Sequence, residues 1–121
     1  MSQVKLVFCV RRHPDLSRAE FLEYWLHRHG PLVRSLKDDL PMVRYVQSHS
    51  LDDDTSAGAR AARGMAVQPY DGITEVWFDA DRMSGGTEAS RIAGQRLLED
   101  EASFIDLANS TLFHTVEHEI F

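Results

Sequence analysis

Residues 4–11 read Val-Lys-Leu-Val-Phe-Cys-Val-Arg, a run of β-formers whose side chains alternate between two faces of unlike chemistry. Val4, Leu6, Phe8 and Val10 share a wholly apolar face, whereas Lys5, Val7, Cys9 and Arg11 share a mixed one. An apolar face of that kind has to be packed under another layer, so the chain is committed from its first strand to a layered architecture. His13-Pro14-Asp15 ends the run with turn chemistry.

The next segment of the chain supplies the cover. Ser17-Arg18-Ala19-Glu20 has the spacing of a capping box, with Leu16 and Phe21 at staple positions, so a helix is predicted from about Arg18. Phe21, Leu22, Trp25 and Leu26 recur at helical spacing and give it one apolar face. Gly30-Pro31 predicts an interruption that leaves His29 at a helix terminus, after which Leu32, Val33 and Leu36 suggest another turn or two before Leu40-Pro41.

Residues 42–50 and 72–80 read as the second and third strands. Between them, residues 51–69 carry Asp52-Asp53-Asp54, Ser56, two glycines and Pro69 with little apolar periodicity, and predict a mobile loop. Ser84-Gly85-Gly86 marks a turn. Ile92, Ala93, Leu97 and Leu98 then form a second helical stripe, expected to break at Glu99-Asp100-Glu101 and resume with Phe104, Ile105 and Ala108. Residues 111–121 close the chain as a fourth strand, with Leu112, Val116 and Ile120 on one side and Phe113 and Phe121 on the other.

The order β-α-β-β-α-β defines an α+β, ferredoxin-like arrangement: a four-stranded antiparallel sheet with both helices on one face. The second face, with Val7, Ile73 and Trp77, is too apolar to stay open, and a second copy of the chain is predicted to cover it.

The 121 residues suit a single domain over 1–121. The 13 Lys and Arg against 19 Asp and Glu argue against nucleic acid as a partner. Cys9, the only cysteine, excludes an intrachain disulfide and reads as a small core residue in a reducing compartment. No early apolar run reaches the length of a signal-peptide core or a membrane span, so no membrane is expected and a cytoplasmic location fits. No phosphate loop, nucleophile elbow or dinucleotide fingerprint is present, so no cofactor is expected. No metal is expected either: the histidines lack ligand spacing, His114 and His118 standing about 13 Å apart at strand rise.

With the topology in place, a longer motif string becomes specific. It runs Leu16-Ser17-x-x-Glu20-Phe21-x-x-Tyr24-Trp25-x-x-x-His29-Gly30-Pro31-Leu32, then Arg44-Tyr45, then Tyr70-Asp71-Gly72-x-x-Glu75-x-Trp77-Phe78-Asp79, with Asp100-Glu101-x-x-Phe104-Ile105-Asp106 towards the end. This string resembles the EthD-domain family. The resemblance implies a dimeric α+β barrel, a homodimer whose sheets close around a shared apolar interior while each subunit keeps its own pocket. It also implies roles that range from accessory proteins of oxygenase systems to polyketide-tailoring decarboxylases and dehydratases.

Six residues are candidates for chemistry. His29, at the family's most recognisable position, either exchanges protons with a ligand in the sheet cavity or caps carbonyls at the Gly30-Pro31 bend. Tyr45 and His49 share a face of the second strand and either line a pocket together, His49 as a second catalytic group, or sit half-buried and at the rim. Glu75 needs a raised pKa or a partner such as Lys5, Arg11 or Arg44 if it points inward. Trp77 and Phe113 are expected as apolar wall, and the 51–69 loop as a cover.

Three functions stand as expectations. The first is a cofactor-independent lyase, isomerase or cyclase acting by proton transfer on a small apolar or aromatic carbonyl, lactone or phenol, with His29 as acid/base. The second is a non-catalytic accessory protein that holds such a metabolite for an oxygenase system. The third, by fold analogy, is a cofactor-free monooxygenase.

Overall fold

A computed structural model describes residues 3–83 and 86–121. Strands β1 (Gln3–Val10), β2 (Met42–His49), β3 (Gly72–Asp79) and β4 (Thr111–Thr115) form a four-stranded antiparallel sheet in the order β2-β3-β1-β4. Ser84 and Gly85 of the expected turn lie outside the described residues.

The register fixes which side chains share a face. Leu6 lies opposite Val76 and His114, Phe8 opposite Thr74 and Leu112, and Tyr45 and Gln47 opposite Val76 and Thr74. All of these point to one side. Val7 lies opposite Glu75 and Phe113, Lys5 opposite Trp77, and Val46 opposite Glu75, and these point to the other.

The first helical unit begins as the sequence dictates. In α1 (Arg18–Tyr24) the Ser17 hydroxyl accepts from the Glu20 amide at 3.1 Å, and the Glu20 carboxylate accepts from the Ser17 amide at 2.8 Å. The predicted interruption does not occur. Instead α1 runs into a π-helical segment, Trp25–His29, and then into α2 (Gly30–Ser35). The Gly30 amide reaches back five residues to the Trp25 carbonyl. Pro31 follows that wide turn directly and supplies no N–H to the ladder. The wide turn thus takes up the Gly-Pro step without ending the helix.

The chain's other long helix follows two short ones, α3 (Ala57–Ala62) and α4 (Ala80–Met83). It is α5 (Glu88–Phe104), 17 residues that run straight through the acidic triplet expected to break it. Ala93, Leu97, Asp100, Glu101 and Phe104 all lie on its covered side, whereas Glu99 is exposed. Two carboxylates therefore occupy the inward stripe, where the periodicity suggested an interruption.

A 3-10 turn at Leu107–Asn109 leads from α5 into β4. α3 falls inside the 51–69 segment and buries none of its residues. β4 stops at Thr115, opposite Lys5, rather than reaching Phe121. Beyond Thr115 the chain leaves the ladder, and Glu117 turns aside to the Lys5 ammonium and the Trp77 indole. His118 consequently does not share a strand face with His114.

The core sits between the helices and the inner sheet face and is built from Phe8, Val10, Phe21, Trp25, Phe104 and Ile105. Phe21 packs against Trp25 and Phe104 with ring centroids 5.3 and 5.8 Å apart, and Tyr24 packs against Phe104 at 5.1 Å. Each such ring contributes roughly 1.5–3 kcal/mol through burial. Gly72 makes the closest helix–sheet approach possible. A Cβ there would lie 2.5 Å from the Ser48 carbonyl oxygen and 2.7 Å from the Trp25 ring.

Candidate functional site

Trp25 opens the π-helical turn and His29 closes it, and both are buried. The turn leaves the Trp25 carbonyl available beyond its helical bond, and the Gln47 side-chain amide donates to it at 2.8 Å. That contact ties the turn to β2. The same amide donates to the Tyr45 hydroxyl at 3.0 Å, leaving the phenolic proton for another acceptor.

His29 is 4% exposed and packs at a tilt against Phe104, with centroids 4.9 Å apart. Its Nδ1 lies 2.7 Å from Oδ2 of Asp100, while the other carboxylate oxygen of Asp100 accepts from the Tyr24 hydroxyl. Burial pushes the imidazole below its ordinary range, and this outweighs the opposing effect of Asp100. At neutral pH the ring is therefore uncharged, with Nδ1–H donating to the Asp100 carboxylate and the Nε2 lone pair free. Among the described residues no protein group hydrogen-bonds Nε2.

His29 stands on the wall of a cavity of about 140 Å³ between the helix layer and the sheet. Most of the lining is apolar, including Leu6, Phe8, Val33, Val76 and Ile105; the polar side chains reaching it are those of His29, Tyr45, Thr74 and Glu101. Glu101 is pushed up to about 7 by burial and by the neighbouring charge of Asp100, so near neutrality it is divided between acid and carboxylate. Tyr45 is held above the usual phenol range, chiefly by burial, and keeps its proton. The site thus places a neutral base, a titratable carboxyl and a phenol around an apolar space.

The six candidates from the sequence divide between two places. His29 and Tyr45 meet in the cavity under the helices, not in a chamber on the helix-free side. His49 does not line that cavity. Its ring stacks on Trp25 at 4.5 Å and its Nε2 bonds the Gln47 amide oxygen at 2.8 Å, so it braces the turn that carries His29. Glu75, Trp77 and Phe113 lie on the opposite sheet face, because their register pairs them with Val7 and Lys5. There Glu75 pairs with Lys5 at 2.7 Å, the partner its position requires, and Trp77 donates to Glu117 at 2.7 Å beneath the Arg44 guanidinium. None of residues 51–69 lines the cavity, so that segment does not cover it in this chain.

Asp100, Glu101 and Tyr24 were not among the residues expected at the site. The signal for them was present: carboxylates three and four residues after Leu97 continue the Ala93, Leu97, Phe104 stripe of a single helix. Among the described residues no group of His, Cys, Asp and Glu could hold a metal ion, and no helix is long and apolar enough to cross a membrane.

Sheet order and helix placement define a ferredoxin-like α+β protein with a cavity under its helices. Residues 13–108 match the EthD domain, and the chain belongs to the EthD family. Solved structures with the same fold include a hypothetical protein of Arabidopsis thaliana, at 15% identity and a TM-score of 0.62 over 100% of this chain and 93% of that one. An EthD-like protein from Ralstonia eutropha has 15% identity and a TM-score of 0.56 over 100% and 95% of the two chains. A dimeric ferredoxin-like protein of unknown function from Thermobifida fusca has 13% identity and a TM-score of 0.58 over 96% and 92%. No curated protein matches the sequence.

Proposed function

We propose that the chain is a small-molecule enzyme of the lyase, isomerase or cyclase type that moves protons on an apolar carbonyl, lactone or phenol inside the cavity under its helices. The observation that carries this reading is the buried His29–Asp100 contact of 2.7 Å, which fixes the ring tautomer and leaves Nε2 free at an apolar wall. A protein that only holds a ligand has no need for an oriented base. A cavity of about 140 Å³ is close to the ~150 Å³ that admits benzene in an engineered protein core, so the reacting part of the ligand is one ring or a short chain.

In this mechanism His29 Nε2 takes a proton from carbon or from a phenolic oxygen, and Asp100 stabilises the imidazolium that forms. The Tyr45 hydroxyl or the protonated Glu101 donates to the carbonyl oxygen on which negative charge develops. His29 then returns the proton to the product. All four groups belong to this chain, and the reading requires no cofactor.

The assembly proposed with it is a homodimer through the helix-free sheet face. Val7, Val46, Ile73 and Phe113 share that face, with Phe113 49% exposed, and the Thermobifida protein of the same fold is described as dimeric. A cytoplasmic location belongs to the same proposal.

The test is turnover of a panel of small carbonyls, lactones and phenols by wild type and His29→Ala, with binding and sedimentation followed in parallel. The expected result is a loss of turnover of at least about a hundredfold with binding retained. Equal turnover by the variant overturns the proposal. Conversion that consumes oxygen transfers the protein to the monooxygenase class, and binding without turnover makes it an accessory carrier for a partner such as an oxygenase.

A further inference from the structure

Two groups on the cavity wall, the Tyr45 hydroxyl and the Glu101 carboxyl, are placed to donate to a ligand oxygen. They differ in what stands behind them. Glu101 makes no side-chain hydrogen bond or ion pair among the described residues, and near neutrality it is divided between acid and carboxylate. Nothing in the chain orients its proton.

Tyr45, by contrast, is held by a series of contacts in which each donor and acceptor fixes the next. The Trp25 carbonyl can only accept, so the group that meets it at 2.8 Å is the NH2 end of the Gln47 amide. The amide oxygen is thereby turned to His49, whose Nε2 lies 2.8 Å away and must carry its proton. The remaining N–H of Gln47 goes to the Tyr45 oxygen at 3.0 Å. His49 is itself held by its ring, stacked on Trp25 with centroids 4.5 Å apart. A phenolic hydrogen lies in the plane of its ring, on one side of the oxygen or the other, and the Gln47 donor occupies one of those sides. The Thr74 hydroxyl and the Trp25 indole also act on the oxygen as donors, against the burial that holds Tyr45 above the usual phenol range. Among the described residues none accepts the phenolic proton. Tyr45 lines the cavity and Gln47 does not, so the proton is left on the cavity side.

We infer that Gln47 is a positioning residue that makes Tyr45 the donor to the reacting oxygen, so that the substrate is a ketone or lactone bound with its carbonyl oxygen at Tyr45, on the sheet side, and its acidic C–H at His29, on the helix side. This rests on the cavity being the site of proton transfer, as proposed above. In the step, the proton passes from carbon to His29 Nε2. The electron pair of that C–H bond becomes the second bond of a new C=C, and the carbonyl pair moves onto oxygen, where the Tyr45 O–H meets the developing charge. Tyr45 keeps its proton throughout.

Isotope-edited infrared spectroscopy of cyclohexanone labelled with carbon-13 at its carbonyl tests this in the intact protein. The bound carbonyl is expected to absorb at lower frequency than it does in hexane, and equally so at pH 6 and pH 8, whereas a bond from Glu101 would fade as that group ionises around 7. Tyr45→Phe should abolish the shift and weaken binding about fivefold. Gln47→Met, similar in length but without a donor, should diminish the shift. Gln47→Glu, whose carboxylate accepts the phenolic proton, should abolish it with Tyr45 still in place. His29 imidazole NMR signals unchanged in both Gln47 variants would show that the helical turn is retained; their loss would make Gln47 a brace of the turn and overturn its positioning role. A bound ketone with no shift in the wild type, a shift that fades between pH 6 and pH 8, a shift that survives Tyr45→Phe or both Gln47 substitutions, or no binding of the ketone also overturns the inference. His29→Ala is expected to keep the shift, so absent turnover beside an intact shift rejects the acid/base mechanism and leaves Tyr45 as the partner of the carbonyl. Turnover that depends on His29 with no carbonyl shift does the reverse and moves the donor role to Glu101.

Discussion

Replacing Glu101 with Gln separates burial from chemistry in a way that needs no substrate. The carboxyl lies inside the helix layer and is pushed up to about 7 from an ordinary value of 4.5. A group whose pKa is higher in the folded than in the unfolded chain favours folding while it is protonated. That stabilisation is complete below pH 4.5 and is lost as the pH rises to 7. A shift of this size corresponds to roughly 3 kcal/mol in total, of which about 2.5 kcal/mol falls between pH 5 and pH 8. Glutamine has nearly the same shape and never ionises, so it should match the wild type at pH 5 and exceed it at pH 8. Urea denaturation of both proteins at the two pH values gives the difference directly. All other titrating groups cancel in the comparison, apart from those coupled to Glu101, chiefly Asp100. On heating, the same difference should appear as a gain of about 10 °C in the variant at pH 8 and little at pH 5. A stability difference that is the same at pH 5 and pH 8 would show that Glu101 ionises freely in the folded chain, and with it would go the picture of a burial-shifted carboxyl in the cavity.

Two further outcomes are expected. Nitrogen NMR of the imidazoles should show His29 neutral at pH 7 with its proton on Nδ1, and Asp100→Asn should lower its pKa further by removing the interactions that oppose burial; a wild-type ring protonated on Nε2 would contradict the assigned orientation. Gly72→Ala should destabilise the fold by about 1–3 kcal/mol in denaturant titrations, because the added carbon would sit 2.5 Å from a backbone oxygen that cannot yield and 2.7 Å from the Trp25 ring; a neutral effect would mean that β2 and β3 part easily at that point.

The parts of this fold that depend on local chemistry were legible in the residues. Ser17 and Glu20 marked the start of α1, and the alternation in β1 separated the face under the helices from the one away from them. The topology came from the order of those patterns. Less legible were features in which a polar group takes an apolar position. Asp100 and Glu101 resembled a break because carboxylates seldom occupy a buried stripe, and only the neighbouring elements show that Tyr24 and His29 satisfy Asp100. Gly30-Pro31 resembled a stop because propensity has no means of expressing a wide helical turn. The placement of Glu75, Trp77 and Phe113 was a matter of pooling: each is plausible as pocket lining, and the register assigns them to the opposite face from His29 and Tyr45. β4 ran short of its expected length although β1 goes on to Gln3, because beyond Thr115 the chain leaves the ladder and Glu117 bonds Lys5 and Trp77.

Phe21, Trp25, His29 and Val33 are all buried and stand four residues apart each time. In uniform α-helix every such step drifts by about 40°, so a chain of three steps would swing the last side chain about a third of a revolution from the first. The roomier coil between Trp25 and His29 winds back part of that drift and keeps all four directed at the sheet. The bearing of the imidazole is therefore set by the number of residues in that coil more than by which residues they are. Lineages that alter this stretch by substitution can keep the ring on target, whereas a change in length there would steer it elsewhere.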